Sequence, residues 1–211
     1  LIEAIEKYIP TPKRDNKKSP IMFVVRSFDV NKPGTEIKKL LGGVLGGALK
    51  EGVFKEDDEV EIVPGRSKEE HNKKIWVPIK TKIKGLMSGE TKIKEAHPGG
   101  SIAVSTSLDP SIVKSDNLAG NVIGLPGKVP KVWYELQLEA KLLDRVVGTE
   151  DELNVEPIKM NEALMLNVNS SVTAGVVTEL KKKGFKAILK LPICADVGSR
   201  VTISRMVGTR F

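Results

Sequence analysis

From Ile21 onward the apolar residues recur at every second position, and glycines and prolines interrupt them at short intervals. Successive side chains of a strand point to opposite faces, so a period of two marks a strand with one buried face. The clearest case is Val132, Tyr134, Leu136, Leu138 and Ala140, interleaved with Trp133, Glu135, Gln137, Glu139 and Lys141. Ile21 to Phe28, Glu59 to Val63, Ile75 to Ile83 and Ser101 to Ser107 read as further strands. So do Leu164 to Val168, Val172 to Leu180, Phe185 to Ile193 and Val201 to Ser204. Short strands with turn signals every 8–12 residues or so indicate sandwiches or barrels. The expected fold class is all-β, as two consecutive small β-barrels, because closure removes exposed strand edges.

The first residues break this pattern. Leu1, Ile2, Ile5 and Ile9 have a helical spacing, and Pro10 and Pro12 end it. Lys13, Arg14, Lys17 and Lys18 follow with no apolar residue but proline, the composition of a solvated linker. Leu40 to Leu49 is apolar yet holds Gly42, Gly43, Gly46 and Gly47, which mark bends or close backbone approach. Asn31 to Gly34 reads as a turn, and Pro64-Gly65 is expected to end the strand before it. Asp109 to Pro130 is turn-rich, and the domain boundary is placed there near Leu125. The expected organisation is residues 1–20 as helix end and linker, 21–125 as one barrel and 126–211 as another.

Composition narrows the function. Hydrophobic residues at 40% and charged residues at 29% are enough for a core and argue against wholesale disorder. No apolar run approaches the roughly 18 residues of a membrane helix. Glu3, Glu6 and Lys7 make the start unlike an export segment. Cys194 is alone, so no internal disulfide can form, and a reduced, cytoplasmic setting fits best. The net charge of +7 attracts polyanions without by itself establishing nucleic-acid binding. Aromatics at 4% are too few for a platform that stacks bases along a strand.

A catalytic reading fails on inventory. His71 lies in the charged segment SKEEHNKK and His97 in EAHPGG, neither with a cysteine or second histidine at metal spacing. No glycine-framed nucleophilic serine occurs. GGVLGG lacks the Lys-Ser/Thr ending of a phosphate loop, and no helical pattern follows it. Asn31-Lys32-Pro33-Gly34 superficially resembles a guanine-reading Asn-Lys-x-Asp motif, but Gly34 stands where the aspartate belongs. No catalytic residue, metal-ligand set or cofactor is expected in this chain.

The segment YIPTPKR (8–14) resembles the connector between the nucleotide domain and the second domain of elongation factor Tu, and LLGGVLGGALKEG (40–52) with EVEIVPG (59–65) resembles that second domain. Within this superfamily RSFDVNKPGTE (26–36) and SLDPSIVKSDNLAGNVIG (107–124) are similar to the gamma subunit of archaeal and eukaryotic initiation factor two. LLDRVVG (142–148), EALMLNVNSSVTAGVV (162–177) and ISRMVGTR (203–210) extend that likeness to the end. The resemblance implies barrels of the elongation factor Tu domain II and III type, without the G domain, and favours an archaeal source. It implies that the intact protein is a GTPase holding GTP and magnesium in that G domain. It further implies a factor that carries initiator methionyl-tRNA to the small ribosomal subunit, as the core of a heterotrimer with alpha and beta subunits. The other reading is the barrel region of an elongation-type carrier, such as a selenocysteinyl-tRNA factor.

The resemblance also suggests where contacts fall. The superfamily holds the aminoacylated 3′ end of tRNA against the second domain, and the turn Gly85-Leu86-Met87-Ser88 is the expected pocket wall. Gly43, Gly46 and Gly100 are expected to line the same pocket by close backbone approach. This chain has no arginine in that turn, unlike elongation factor Tu, so a charge contact does not carry over. The loop Asp29 to Glu36 looks longer than its counterpart there, and Asp29, Asn31 and Lys32 are expected to contact the alpha subunit.

Overall fold

A computed structural model of the chain describes residues 1–10, 12–71, 73–145 and 155–205. Thr11, Asn72 and residues 146–148 and 206–210 of the quoted segments lie outside the described residues. The chain divides into two units: Leu1–Arg66 with Pro78–Val129, and Pro130–Phe211 with Ser67–Val77.

In the first unit, α1 (Ile2–Tyr8) leads to β1 (Ile21–Phe28), β2 (Val44–Glu51), β3 (Phe54–Lys55), β4 (Glu59–Glu70) and β5 (Lys73–Ser88), the last residues of β4 and the first of β5 being counted with the second unit. β6 (Thr91–Ile93), β7 (Glu95–Ala96), β8 (Ser101–Thr106), α2 (Pro110–Val113) and β9 (Val122–Gly124) complete it. The strands run in the order β4-β9-β1-β2-β8-β5, and β4 also pairs with β5. The sheet therefore closes on itself as a six-stranded barrel, with β6 appended to β5 and a small β3–β7 pair beside it. Alternate residues fill its core, among them Met22, Val24, Leu45, Leu49, Phe54, Val60, Ile62, Ile83, Leu86 and Val104.

Two features depart from the sequence reading. β4 does not stop at Pro64-Gly65 but runs on to Glu70. Proline has no amide to lose from the ladder, and the Gly65 amide donates to the buried side chain of Asn121 at 2.8 Å, so this point needs no strand partner. The second is β9, three residues inside a segment read as turns. It pairs with both β1 and β4 and so completes the barrel wall.

The second unit holds β10 (Val132–Glu139), β11 (Ala163–Val168), β12 (Ser171–Lys181), β13 (Gly184–Cys194) and β14 (Val201–Arg205). They form an antiparallel sheet in the order β10-β13-β12-β11-β14. The predicted alternation is visible in its core: Leu164, Leu166 and Val168 of β11 meet Val177, Phe185, Ala187 and Leu189. Asn169, at φ 55°, opens the two-residue turn between β11 and β12. Together the two units make a nearly all-β protein, consistent with two barrel domains.

Arg205 fastens the loop ahead of β11 to β14. Its Nε donates to Glu162 Oε1 at 2.6 Å, and its terminal nitrogens donate to the carbonyls of Glu156 and Pro157. Burial pushes the Glu162 carboxyl up, but the hydrogen bonds from Arg205 and the Lys159 amide, with the charges of Arg205 and Lys159, outweigh it and hold it below its ordinary value. A carboxyl lowered on folding adds stability above its unfolded pKa and loses it as pH falls through the folded one. Glu162→Gln is thus expected to cost about 1–2 kcal/mol at pH 7 and progressively less toward pH 3, read by urea unfolding at both pH values. A deficit independent of pH would assign the effect to packing instead.

Candidate functional site

The four glycines of GGVLGG have different neighbours. A Cβ on Gly47 would lie 1.9 Å from the Phe23 carbonyl oxygen, and one on Gly42 1.9 Å from that of Thr106. One on Gly43 would meet Val113 at 2.4 Å. Gly43 is also fixed by its carbonyl, which accepts from the Thr106 amide at 3.0 Å and hydroxyl at 2.7 Å. Gly46 is different: its nearest neighbours are Arg26 Cβ at 3.7 Å and Phe28 Cε1 at 3.8 Å, which is ordinary contact.

Gly46 belongs to a row of small residues on the outer face of the barrel. Residues facing each other in an antiparallel pair project on the same side. Gly46 of β2 faces Arg26 of β1 and Ala103 of β8, Ala103 faces Met87 of β5, and Met87 faces Lys92 of β6. Alongside, Ser105 faces Gly85, and Ala48 faces Ser101. The row is therefore lined by small uncharged residues, with Phe28 and Arg26 at one border, Met87 and Lys92 at the other, and the Glu56 carboxylate beside Gly85, its Oε1 3.8 Å from where a Cβ would lie.

Of the residues expected to line a pocket, the fold brings Gly46, Gly85 and Met87 to this face. Ser88 is exposed where β5 turns into β6, and Gly100 is exposed just before β8. Gly43 is buried against Val113, and Leu86, 1% exposed, points into the core. Ala103, Ser105 and Phe28 were not singled out from sequence. The alternation of SIAVSTS does place Ala103 and Ser105 opposite Ile102 and Val104, but nothing local tells which strands lie beside them.

One border of this row is built around Ser27, which is 1% exposed. Its hydroxyl donates to the Val113 carbonyl at 2.8 Å and accepts from the Leu118 amide at 3.0 Å, joining β1 to the segment after α2. Asp116 Oδ1 accepts from the Ser27 amide and from Arg26 Nε, each at 2.9 Å. Those two donors, the Ser27 amide foremost, hold the Asp116 carboxyl below its ordinary value.

The segment between β1 and β2 forms a second surface of the same unit. The Asn31 side chain imitates a strand partner: it accepts from the Leu41 amide and donates to the Leu41 carbonyl, both at 2.8 Å. Asp29 Oδ1 accepts from the Asn31 amide and side chain at 2.8 and 2.7 Å. Lys32 is exposed, and its carbonyl accepts from Thr35. Asp29 and Asn31 are thus tied into the loop's base. The loop presents Ile37, 87% exposed, and Leu41, 63% exposed, with Val30 and Leu40 nearby in sequence. Apolar residues in a stretch of turn and charged residues, without alternation, were the available signal.

Among the described residues no three His, Cys, Asp or Glu side chains are placed to hold a metal ion. His97 lies 3.7 Å from Glu95, and His71 sits at the turn between β4 and β5. Burial pushes the Cys194 thiol up to about 12, so it is unreactive at neutral pH.

A closed six-stranded barrel followed by a second antiparallel β unit makes this a tandem β-domain protein. Residues 134–211 match the family described as initiation factor eIF2 gamma, C terminal. Over all 211 residues the chain is 54% identical to translation initiation factor 2 subunit gamma of Methanocaldococcus jannaschii and of Pyrococcus furiosus, covering 51% of each. It is equally similar to that of Thermococcus kodakarensis, covering 52%. The matches support the C-terminal barrel region of a translation initiation factor 2 gamma subunit, and the chain spans about half the length of the curated relatives it matches. These relatives favour the initiation factor over an elongation-type carrier. No helix among the described residues is long and apolar enough to cross a membrane, which says nothing of β-barrel spans.

Proposed function

We propose that these barrels form the cargo-binding half of a cytoplasmic GTPase that brings initiator methionyl-tRNA to the small ribosomal subunit. Residues 1–20 would then be the end of the nucleotide domain and its linker, 21–125 domain II and 126–211 domain III. The observation that carries the reading is the 54% identity to gamma subunits over all 211 residues, together with a row of small outward-facing residues that includes Gly46. The 3′ end of the tRNA lies over Gly46, Gly85 and Met87, with Ser88 and Gly100 at the rim; Gly43 and Leu86 support the floor from within. Glycine and alanine let a nucleotide approach the backbone, and the flexible thioether of Met87 suits a methionyl side chain.

The loop 29–41 is proposed as the contact for the alpha subunit. The word subunit in the relatives' names implies partners, and exposed Ile37 and Leu41 are the type of side chain that anchors one. GTP, magnesium and the beta subunit are assigned to a nucleotide domain. The residues of this chain do not fit GTP or its metal: the sequence has no phosphate loop, and the described residues hold no metal-binding cluster. Ala103→Tyr in the full-length protein, which fills the row from an outward position, tests this face. Its affinity for initiator methionyl-tRNA is expected to fall at least about tenfold with the melting temperature kept. Unchanged affinity would move the cargo site elsewhere.

A further inference from the structure

Arg26 stands at one end of the row Gly46–Ala103–Met87, and its guanidinium is held in place. Nε donates to Asp116 Oδ1 at 2.9 Å, and that oxygen is itself fixed by the Ser27 amide. Asp116 sits at φ 58° beside Ser115 at φ 56°, in a turn tied to the barrel through the buried Ser27 hydroxyl. Only Nε of Arg26 is engaged among the described residues, and the side chain is 69% exposed.

A guanidinium is a rigid planar fork of donors. Fixing Nε from behind leaves the two terminal nitrogens directed as a unit, so less side-chain freedom is lost when they take a bidentate acceptor. Phosphate has the matching geometry. At the other end of the row Lys92 is exposed and forms no ion pair among the described residues; Gly46, Ala103 and Met87 between them carry no charge, and the one carboxylate recorded nearby, Glu56, sits beside Gly85 off the row. Four strand spacings separate Arg26 from Lys92, roughly 19 Å along the surface. Such an arrangement, cationic at both ends and flat between them, fits a short stretch of RNA backbone laid across the strands.

We propose that Arg26 takes a phosphate of the RNA lying across this row, and that Asp116 is a positioning residue acting through it. The proposal rests on the row being the cargo site and adds the residue that grips the backbone.

The test is equilibrium binding of initiator methionyl-tRNA to the full-length protein across a salt titration. Arg26→Ala is expected to weaken binding about tenfold and to lower the salt slope by about one. Arg26→Lys keeps the charge and the slope but loses severalfold in affinity, because an ammonium lacks the fork. Asp116→Asn is decisive for positioning. It raises the net charge by one, so electrostatics alone makes RNA binding tighter; a positioning role makes it weaker. In the Arg26→Ala background the same change should cost nothing further. Tighter binding by Asp116→Asn, or additive losses in the double variant, would overturn the positioning role. Full affinity in Arg26→Ala, while Ala103→Tyr abolishes binding, overturns the assignment of Arg26 and leaves the cargo site in place. No effect from either removes the cargo-site reading itself. Melting temperatures accompany each variant, and Arg26→Lys decides the case if Asp116→Asn melts early.

Discussion

Gly47→Ala is expected to remove roughly 3–5 kcal/mol from the stability of the protein, whereas Gly46→Ala changes it by less than about 1 kcal/mol. The two positions are adjacent in sequence, in the same strand, and carry the same residue. The difference is entirely in what surrounds them. A methyl at Gly47 would overlap the Phe23 carbonyl oxygen at 1.9 Å, and backbone in a closed barrel has no room to retreat. A methyl at Gly46 finds nothing nearer than 3.7 Å and points outward. Domains are typically stable by only 5–15 kcal/mol or so, so the first change takes a large share of the total. Urea unfolding followed by circular dichroism on the two variants gives the answer, and equal midpoints would contradict the packing described for the GGVLGG strand.

Ile37→Asp and Leu41→Asp in the full-length protein are expected to weaken alpha-subunit binding by about 30-fold or more each. Both side chains are largely exposed, so neither change should alter the melting temperature of the free protein. Asn31→Ala is expected to reach about tenfold by a different route. It removes the two hydrogen bonds that hold Leu41 in register and so leaves the loop to be ordered on binding. Lys38→Ala, on the same loop but peripheral, should cost little. Titration with purified alpha subunit separates these outcomes. If the two aspartate variants bind normally, the partner surface lies outside the loop 29–41.

Much of the fold could be read from the chain because strand alternation is a local signal. The run Val132 to Lys141 indicates a half-buried strand whatever lies beside it, and the structure places β10 there, but a register shift between Trp133 and Glu135 reverses the expected faces at that end: Trp133 packs on the core and Tyr134 is 51% exposed. β9 was not legible, since three residues are too short to show a period, and its role comes from filling the gap between β1 and β4. The end of β4 is not legible for a related reason. Pro64-Gly65 is a turn signal in isolation, and only the buried Asn121, 56 positions away, lets the strand pass through it.

For the site, residue types were legible and orientation was not. Glycine at 42, 43, 46 and 47 announced close approach, but sequence could not say which glycines abut other parts of the chain and which faces outward. That depends on the neighbours supplied by β1, β8 and the segment after α2. Met87 and Leu86 are adjacent apolar residues of one strand, and the register of β5 against β8 sends one to the surface and one to the core. Asp116 and Arg26 are 90 positions apart and meet because Ser27 pins the intervening excursion onto β1. Sequence alone determined most of the strands, the all-β class and the likeness to initiation factor 2 gamma subunits, since each is written in local pattern or in residue identity. Tertiary structure alone decided barrel closure, which of four glycines faces outward, and the clamp on Arg26, since those depend on contacts between residues far apart in the chain.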